Sequence, residues 1–426
     1  MIEARETLVQ TEKETSARVF AWALVAVLWV VAIFNYLDRQ IIFSVFPLLK
    51  ADLQLSDVQL GLLGTVFLWV YALLSPISGF LADRFGRVRL IIISLLIWSL
   101  VTWLTGYARN FNELMATRAL MGLSEACYIP AALALIADYH AKGKLSLATG
   151  IHTSGIYAGI ILGGAGGGWM GEHYGWRSAF TILGIAGVSY TIFLAFALRG
   201  AGNRTSPETS TETPRSTLDE GPRFWPTLRE LFAIPNFRVL MLVFASFSLA
   251  NWAIYTWLPI YLYERFQMKL AAAGFSATFY IQIASFGGIL FGGWLADRWS
   301  RTSARGRVLT QSIGVALAAP CLFLVGFTAS SAVLIVGLIM FGLGRGFYEC
   351  NTMPVLTQIA RADLRSTGYG LFNMAGTLTG GVIAATAGAL KNFIGLGGVF
   401  QLAALLLLIS ALMLSRLRLE RKVSVL

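Results

Sequence analysis

Charge is scarce in this sequence. Asp, Glu, Lys and Arg together make up 13% of its 426 residues, about half the share found in a soluble globular domain. With 56% hydrophobic residues and a mean hydropathy of +0.68, the chain cannot be an ordinary water-soluble protein. Cysteine and histidine are rare as well, at three each. Cys127, Cys321 and Cys350 fall within apolar stretches without metal-ligand spacing, which leaves no basis for a disulfide framework or a metal site. The glycine-rich "GGAGGG" at 163–168 lacks the Lys-Ser/Thr of a phosphate-binding loop and lies inside an apolar run, so it reads as close helix packing. No nucleophile, metal or cofactor constellation supports an enzyme.

What the chain has in abundance is apolar sequence in long blocks. Stretches near 20 residues recur at about 19–47, 57–82, 88–107, 111–138, 146–170, 179–199, 239–262, 272–296, 308–328, 331–356, 367–390 and 396–415. At 1.5 Å per residue, each suffices to cross a hydrocarbon layer about 30 Å thick. A β-barrel would instead show alternating segments of about ten residues. The fold class expected is therefore an all-α membrane protein with twelve transmembrane helices.

The net charge of +11 follows topology. Lys50, Arg109, Arg177, Arg265, Lys269 and Lys391 fall on one side, and Arg39, Arg118 and Arg345 fall within spans. Every other Lys and Arg lies in the tails or in loops on the opposite side. By the positive-inside rule both termini are expected in the cytoplasm, in a cell (plasma or inner) membrane, and nucleic acid needs no place among the partners. The mixed-charge N-terminus leads into an apolar run too long for a signal-peptide core and reads as retained. Asn203-Arg-Thr205 matches a glycosylation acceptor, but on the cytoplasmic side the match is accidental.

Hydropathy collapses between Arg199 and Phe237 into a Ser-, Thr-, Pro- and charge-rich stretch, as in a flexible connection. Its "WPTLRELFAI" end reads as a short interfacial amphipathic helix. The expected organisation is a tail at 1–18, a six-helix half at 19–199, a linker at 200–236, a second half at 237–415 and a tail at 416–426. The halves echo one another. "GFLADRFGRVR" at 79–89 returns as "GGWLADRWSR" at 292–301, and "GLSEACYIP" at 122–130 returns as "GFYECNTMP" at 346–354. Internal repeats of this kind characterise secondary transporters, whose solute site lies between the repeats.

With these motifs the sequence resembles the major facilitator superfamily over nearly its whole length. "GFLADRFGRVR" is similar to that family's signature loop between the second and third helices, and "RALMGLSEA" to its fourth-helix pattern. "NYLDR" in the first span, Arg118 and Glu125 in the fourth, and "YGWRSAF" at 174–180 resemble the organic anion:cation symporter group, as do "TWLPIYL" at 256–262 and "STGYGLFNMAGTLTGG" at 366–381. Spinster-like lipid transporters share the first-span Asp-Arg and the fourth-span Arg and Glu, and "LIADYH" at 135–140 is closer to theirs. The resemblance to the symporters implies that Asp38 and Glu125 couple protons and that Arg39 binds the solute's carboxylate. It also implies an inter-helix lock at Asp83, Arg84, Arg87 and Arg89, with Asp297 and Arg298 in the second copy. These charges are also read as topology charges.

Charges within a span cost roughly 2.5–3.5 kcal/mol each at its centre, so they normally face a cavity or a partner. Asp38 and Arg39 diverge by about 100° around a helix and must serve different neighbours. Arg118 and Glu125, two turns apart, share a face. Structural ion pairs between the first and fourth spans are one reading. The other is that Asp38 and Glu125 exchange protons while Arg39 or Arg118 holds an anion, the acids' charge state following the cavity's access to water. Arg345 and Glu349 are spaced to pair within one helix. Pro130 and Pro354 follow the two glutamates and are expected to kink or loosen their helices, as gates. Further solute contacts are expected from Tyr36, Tyr128, His152, Ser154, Tyr157, Trp252, Tyr255, Gln282, Glu349 and Asn373, and Ser/Thr among the uncharged polar groups also suit helix packing. The related symporters often carry Phe-Asn where this chain has His152-Thr153.

The function expected is a proton-coupled symporter of a small organic anion, a carboxylate or sugar acid, working by alternating access as a monomer. It needs no cofactor beyond the transmembrane proton gradient, and its partners are the solute, protons and membrane lipid. A proton-driven lysolipid, sphingolipid-like or drug exporter is the alternative, with a non-transporting membrane receptor behind it.

Overall fold

The computed structural model describes the backbone of residues 2–140, 142–199, 224–361 and 364–417; the side chains of 2–18, 75–85, 142–147, 224, 227, 365 and 366 lie outside the description. Among the described residues all regular structure is helical. The elements are α1 (Ile2–Ser44), α2 (Phe46–Leu53), α3 (Asp57–Phe85), α4 (Arg87–Thr105), α5 (Phe111–Glu125), α6 (Tyr128–Tyr139) and α7 (Lys142–Ala197), followed by α8 (Phe224–Ala233), α9 (Pro235–Phe266), α10 (Leu270–Ser300), α11 (Gly306–Phe327), α12 (Ser331–Ile359) and α13 (Arg365–Ser415). The expected short helix after the linker is α8; positions 200–223 of the linker and 418–426 of the C-terminal tail lie outside the described residues.

Among the described residues, ten helices are long and apolar enough to cross a membrane. Two of them, Ala148–Ala197 and Thr367–Ser415, have 50 and 49 residues, about 75 Å if straight and far more than one crossing needs. Each is interrupted at a glycine. Gly175 has φ 78° and Gly395 φ 68°, backbone that only glycine adopts without strain. The chain reverses there. Before Gly175, α7 runs parallel to α1, its Gly155, Gly159, Gly163 and Gly167 lying against Trp29, Ile33, Leu37 and Ile41 in turn. After Gly175 it runs antiparallel, with Trp176 bonded to Asp52 near the end of α2 and Tyr190 bonded to the Val27 carbonyl. With both long helices counted as two passes, the expected twelve crossings are present. The loops expected at 171–178 and 391–395 are absent, because a single positive-φ glycine makes each turn.

"YGWRSAF" acquires a local meaning here. Once Gly175 turns the chain, the Arg177 guanidinium binds the Asp52 carboxylate and donates to the Ala108 carbonyl at 3.2 Å, while the Trp176 indole donates to Asp52 at 3.1 Å. Three chain ends are gathered at one point, and Arg177 holds the Asp52 carboxyl below its usual range.

The fourth span, expected as one helix, is two. Pro130 has no N–H to offer and crowds the carbonyl four residues earlier, and the helix stops at Glu125 and resumes at Tyr128. The repeat-related Pro354 does not interrupt α12, which continues to Ile359. The loosening expected at both prolines is thus a break at one only. The repeat extends into the backbone: Gln54, after α2, and Gln267, after α9, both take the left-handed conformation at φ 51°, as Gly175 and Gly395 close equivalent passes.

Contact between the N-terminal and C-terminal sets of passes is made mainly by α3 against α13 and by α7 against α10, with α1 against α9 adding to it. On the first seam, Thr65 donates to the Gly381 carbonyl at 2.7 Å and Trp69 to the Leu378 carbonyl at 3.1 Å. A Cβ on Gly61 would come within 2.1 Å of the Ala384 carbonyl oxygen. On the second, a Cβ on Gly274 would come within 2.0 Å of the Gly164 carbonyl oxygen. Both seams lie toward the end of the bundle that carries Gly175 and Gly395. An ion cluster spans that end: Asp57 of α3 accepts from Lys50 at 2.8 Å and from Lys391 of α13 at 3.1 Å, and Lys391 reaches Glu264 of α9 at 2.8 Å.

Gly61→Val and Gly274→Val are expected to prise this end open while each set of helices keeps its own packing. Spin labels placed across the seam should report longer distances; unchanged distances would show that the glycines do not set the closure.

Candidate functional site

Asp38 and Arg39 lie near the C-terminal end of α1, at 2% and 8% exposure, and their side chains part as the helix geometry requires. Arg39 Nε donates to Glu125 Oε2 at 2.5 Å, joining α1 to the last residue of α5. The guanidinium carbon sits 4.7 Å from the Tyr36 ring centroid, 5.1 Å from Phe67 and 4.5 Å from Tyr71. Aromatic faces attract a cation and cost it little hydration. Arg39 Nη2, although buried, finds no hydrogen-bond partner in the protein.

Asp38 faces α4, where Thr102 donates to its Oδ2 at 3.2 Å; its Oδ1 and Glu125 Oε1 are buried without a partner. Arg118, on α5, is 1% exposed. It lies within electrostatic range of Asp38 and Glu125, yet its Nε and Nη2 also find no partner. Two acids and two arginines therefore share one buried pocket of helix surface with a single direct ion pair. Buried polar groups are rarely left this way, and here donors and acceptors are left over together.

A second cluster faces this one. Arg345 on α12 pairs with Glu349 at 2.8 Å, as the i,i+4 spacing predicts, but it also donates to the Tyr255 hydroxyl of α9, which accepts from Gln282 of α10 at 2.6 Å as well. Tyr157 of α7 lies within electrostatic range of Glu349, Arg345, Tyr255 and Tyr36. Gln40, next to Arg39, donates to the Tyr255 backbone carbonyl at 3.5 Å. Residues from both sets of passes thus meet around Tyr36, Tyr157 and Tyr255. Trp252, half-buried, packs edge-on against Tyr255 at 5.9 Å.

Other expected contacts lie elsewhere. Tyr128 donates to the Leu28 carbonyl at 2.7 Å, so the 2.8 Å contact with His152 requires His152 Nε2 to carry the proton. Both are fully buried, and the His152 Nδ1 finds no partner in the protein. The Ser154 hydroxyl accepts from Trp29 and donates to the Ile151 carbonyl. Asn373 is exposed on α13.

At the signature loops, the side chains of Asp83 and Arg84 lie outside the described residues. Arg87 binds the Asp138 carboxylate and donates to the Ala134 carbonyl at 3.1 Å, fastening α4 to α6. In the second copy Asp297, largely exposed, reaches Arg307 at 3.4 Å, and Arg298 lies 6.0 Å from the Trp294 ring. A pocket of about 600 Å³ at the Gly395 turn, lined by Tyr261, Glu264, Arg265, Lys391 and Gln401 among others, contains none of the expected site residues.

Sequence reasoning missed Phe67, Tyr71 and Thr102, which look like any aromatic or small residue of an apolar span. It also missed Asn35, fully buried with both amide atoms unpartnered. Asp57, Lys50 and Lys391 were visible only as charges at span ends.

A sequence profile of the Major Facilitator Superfamily matches residues 28–385. The chain belongs to that superfamily. This transporter is 26% identical over 397 residues, 86% of its own chain and 84% of the relative, to the "Probable galactarate/D-glucarate transporter GudP" of Bacillus subtilis (strain 168). It is 30% identical over 335 residues, 72% of its chain and 73% of the relative, to the "Probable sulfoacetate transporter SauU" of Cupriavidus necator. It is also 29% identical over 321 residues, 71% of its chain and 59% of the relative, to "Protein spinster homolog 1" of Xenopus laevis. Among solved structures, a bacterial homologue of the human lysosomal transporter spinster, in an inward-facing and occupied conformation, superposes with a TM-score of 0.76 at 19% identity over 93% of this chain and 96% of that one. The molecule is an integral membrane transporter of the major facilitator fold, not an enzyme.

Glu125→Ala leaves the Arg39 charge buried without its carboxylate, and a loss of roughly 3–5 kcal/mol in stability is expected, as for one partner removed from a buried pair. Arg39→Met combined with Glu125→Met should recover most of it. Thermal unfolding of the purified transporter compares the three proteins; equal stability of wild type and Glu125→Ala would show that the pair is not a structural tie.

Proposed function

We propose that this transporter is a proton-coupled symporter of small organic anions. The observation that carries the reading is the Arg39 guanidinium. It is caged by Tyr36, Phe67 and Tyr71, it spends Nε on Glu125, and it keeps a buried Nη2 donor unspent. A carboxylate is the ligand such a donor suits, since charge-assisted hydrogen bonds from arginine are strong and directional. The relatives named as galactarate/D-glucarate and sulfoacetate transporters support an anionic solute.

Proton coupling follows from competition. While Glu125 is ionised it claims Arg39; once it takes a proton the guanidinium is released to the solute. The charges facing Glu125 are Arg39 and Arg118, with Asp38 contributing a like charge from α1. Asp38, held by Thr102 on one oxygen only, is the second proton carrier. Halves at 19–199 and 237–415 then rock about the site on the linker at 200–236, in alternating access. The Lys/Arg asymmetry of the loops supports cytoplasmic tails.

In proteoliposomes with an inward proton gradient, wild type is expected to accumulate galactarate. Asp38→Asn and Glu125→Gln should lose gradient-driven accumulation by at least about tenfold while keeping galactarate exchange at equal pH. Undiminished accumulation in both variants would end the coupling assignment.

The spinster relative favours a second reading, in which Arg39 meets a lysolipid headgroup. Lysolipid flux without galactarate flux in the same vesicles would decide for it.

A further inference from the structure

On the topology proposed above, the end of the bundle that carries Gly175 and Gly395 faces outward, the side that is poor in Lys and Arg. Three of the basic residues there are tied to acids: Lys50 to Asp57, Arg177 to Asp52, and Lys391 to Asp57 and Glu264. Among the described residues Arg265 has no acid. Its Nε donates to the Thr328 carbonyl and its Nη2 to the Phe327 carbonyl, both at 3.4 Å. A guanidinium carries five N–H donors, so most of its capacity is left to give.

Arg265 opens onto the cavity of about 600 Å³ at the Gly395 turn, whose wall also holds Glu264, Lys391 and Gln401. Lys391 directs its ammonium at Asp57 and Glu264 and keeps a third N–H. Tyr261, also in the wall, gives its hydroxyl proton to the Val325 carbonyl at 3.1 Å and has none for a ligand. Two cations and one carboxylate leave a single positive charge in excess, with donors in surplus. A cation is repelled from such a site, and a monoanion rich in acceptors balances it. The apolar part of the wall narrows the choice. Phe327 and Ile394 line the cavity yet are 67% and 45% exposed, and the neighbouring Phe393 is 85% exposed. Apolar side chains held out beside a basic pocket between helices suit the depth at which lipid headgroups meet acyl chains.

We propose that this cavity binds the phosphodiester headgroup of an anionic lipid between Arg265, Lys391 and Gln401, and that the bound headgroup unlatches the outward end. Lys391 of α13 and Asp57 of α3 form an ion pair across the seam between the two sets of helices. A phosphodiester beside Lys391 competes for its ammonium, while Asp57 retains Lys50. The seam then loses that tie. This inference rests on the fold and topology of the transporter and holds whatever solute it carries.

The test reads spin labels across the α3–α13 seam in nanodiscs of phosphatidylcholine alone, or of phosphatidylcholine with an equal part of phosphatidylglycerol. In wild type, phosphatidylglycerol should move the ratio of long to short distances about tenfold toward the long, as a tenfold preference for the open state produces. Arg265→Gln, at an exposed position, should lose the shift. Lys391→Gln should show long distances in both lipids, and short distances in both would overturn the latch. Native mass spectrometry is the second measurement: wild type should retain phosphatidylglycerol and Arg265→Gln should lose it. An equal shift in Arg265→Gln would be a general effect of membrane charge and would overturn the site. A shift caused by inorganic phosphate in phosphatidylcholine nanodiscs, and not by phosphatidylglycerol, would overturn the lipid in favour of the free ion.

Discussion

The 2.5 Å bond between Arg39 and Glu125 is the constraint around which the first set of helices is arranged. A guanidinium and a carboxylate taken out of water lose several kcal/mol each, and only a close, well-supported pairing returns it. The chain meets that demand by breaking the fourth span at Glu125 and by lining Arg39 with three aromatic rings. Asp38 and Arg118 raise the cost further, because neither is paired in the same way. A purely structural interface between α1 and α5 would be cheaper to build from small residues, so the concentration of leftover donors and acceptors marks the place where energy is held for use.

The two sets of helices solve the same problem with different parts. Glu125 and Glu349 occupy corresponding places in the repeat, yet Glu125 takes its arginine from another helix and Glu349 takes its own from one turn earlier. The first arrangement can be opened by moving α1 against α5. The second pair lies within α12 and does not depend on where the neighbouring helices stand, although Arg345 also reaches Tyr255 of α9.

Much of the fold was legible in the sequence because hydropathy records membrane crossings directly. The six-plus-six pattern needed only the Ser-, Thr- and Pro-rich stretch after Arg199 and the repeated Leu-Ala-Asp-Arg. The turns were less legible: "EHYGWRS" is polar enough to suggest a loop, yet a lone glycine at 175 suffices, and no local signal distinguishes Gly175 from the packing glycines before it. In the site, each in-span charge announced itself, and the Arg345-Glu349 pair followed from spacing. Pairing across helices did not, since nothing in the chain says that Arg39 meets Glu125 rather than Asp38 meeting Arg118. The pairing of Tyr128 with His152 and with the Leu28 carbonyl was equally hidden, because a hydroxyl or imidazole within a span looks the same whatever it faces.

The seams of α3 with α13 and of α7 with α10 bring backbone to backbone at Gly61, Gly164 and Gly274. At those glycines the joint is backbone on backbone, while the Thr65 hydroxyl and the Trp69 indole bridge the first seam to carbonyls of α13. A fit of that kind has no room for one added carbon, so the distance between the two sets of passes is set by the smallest residues of the chain and not by the largest.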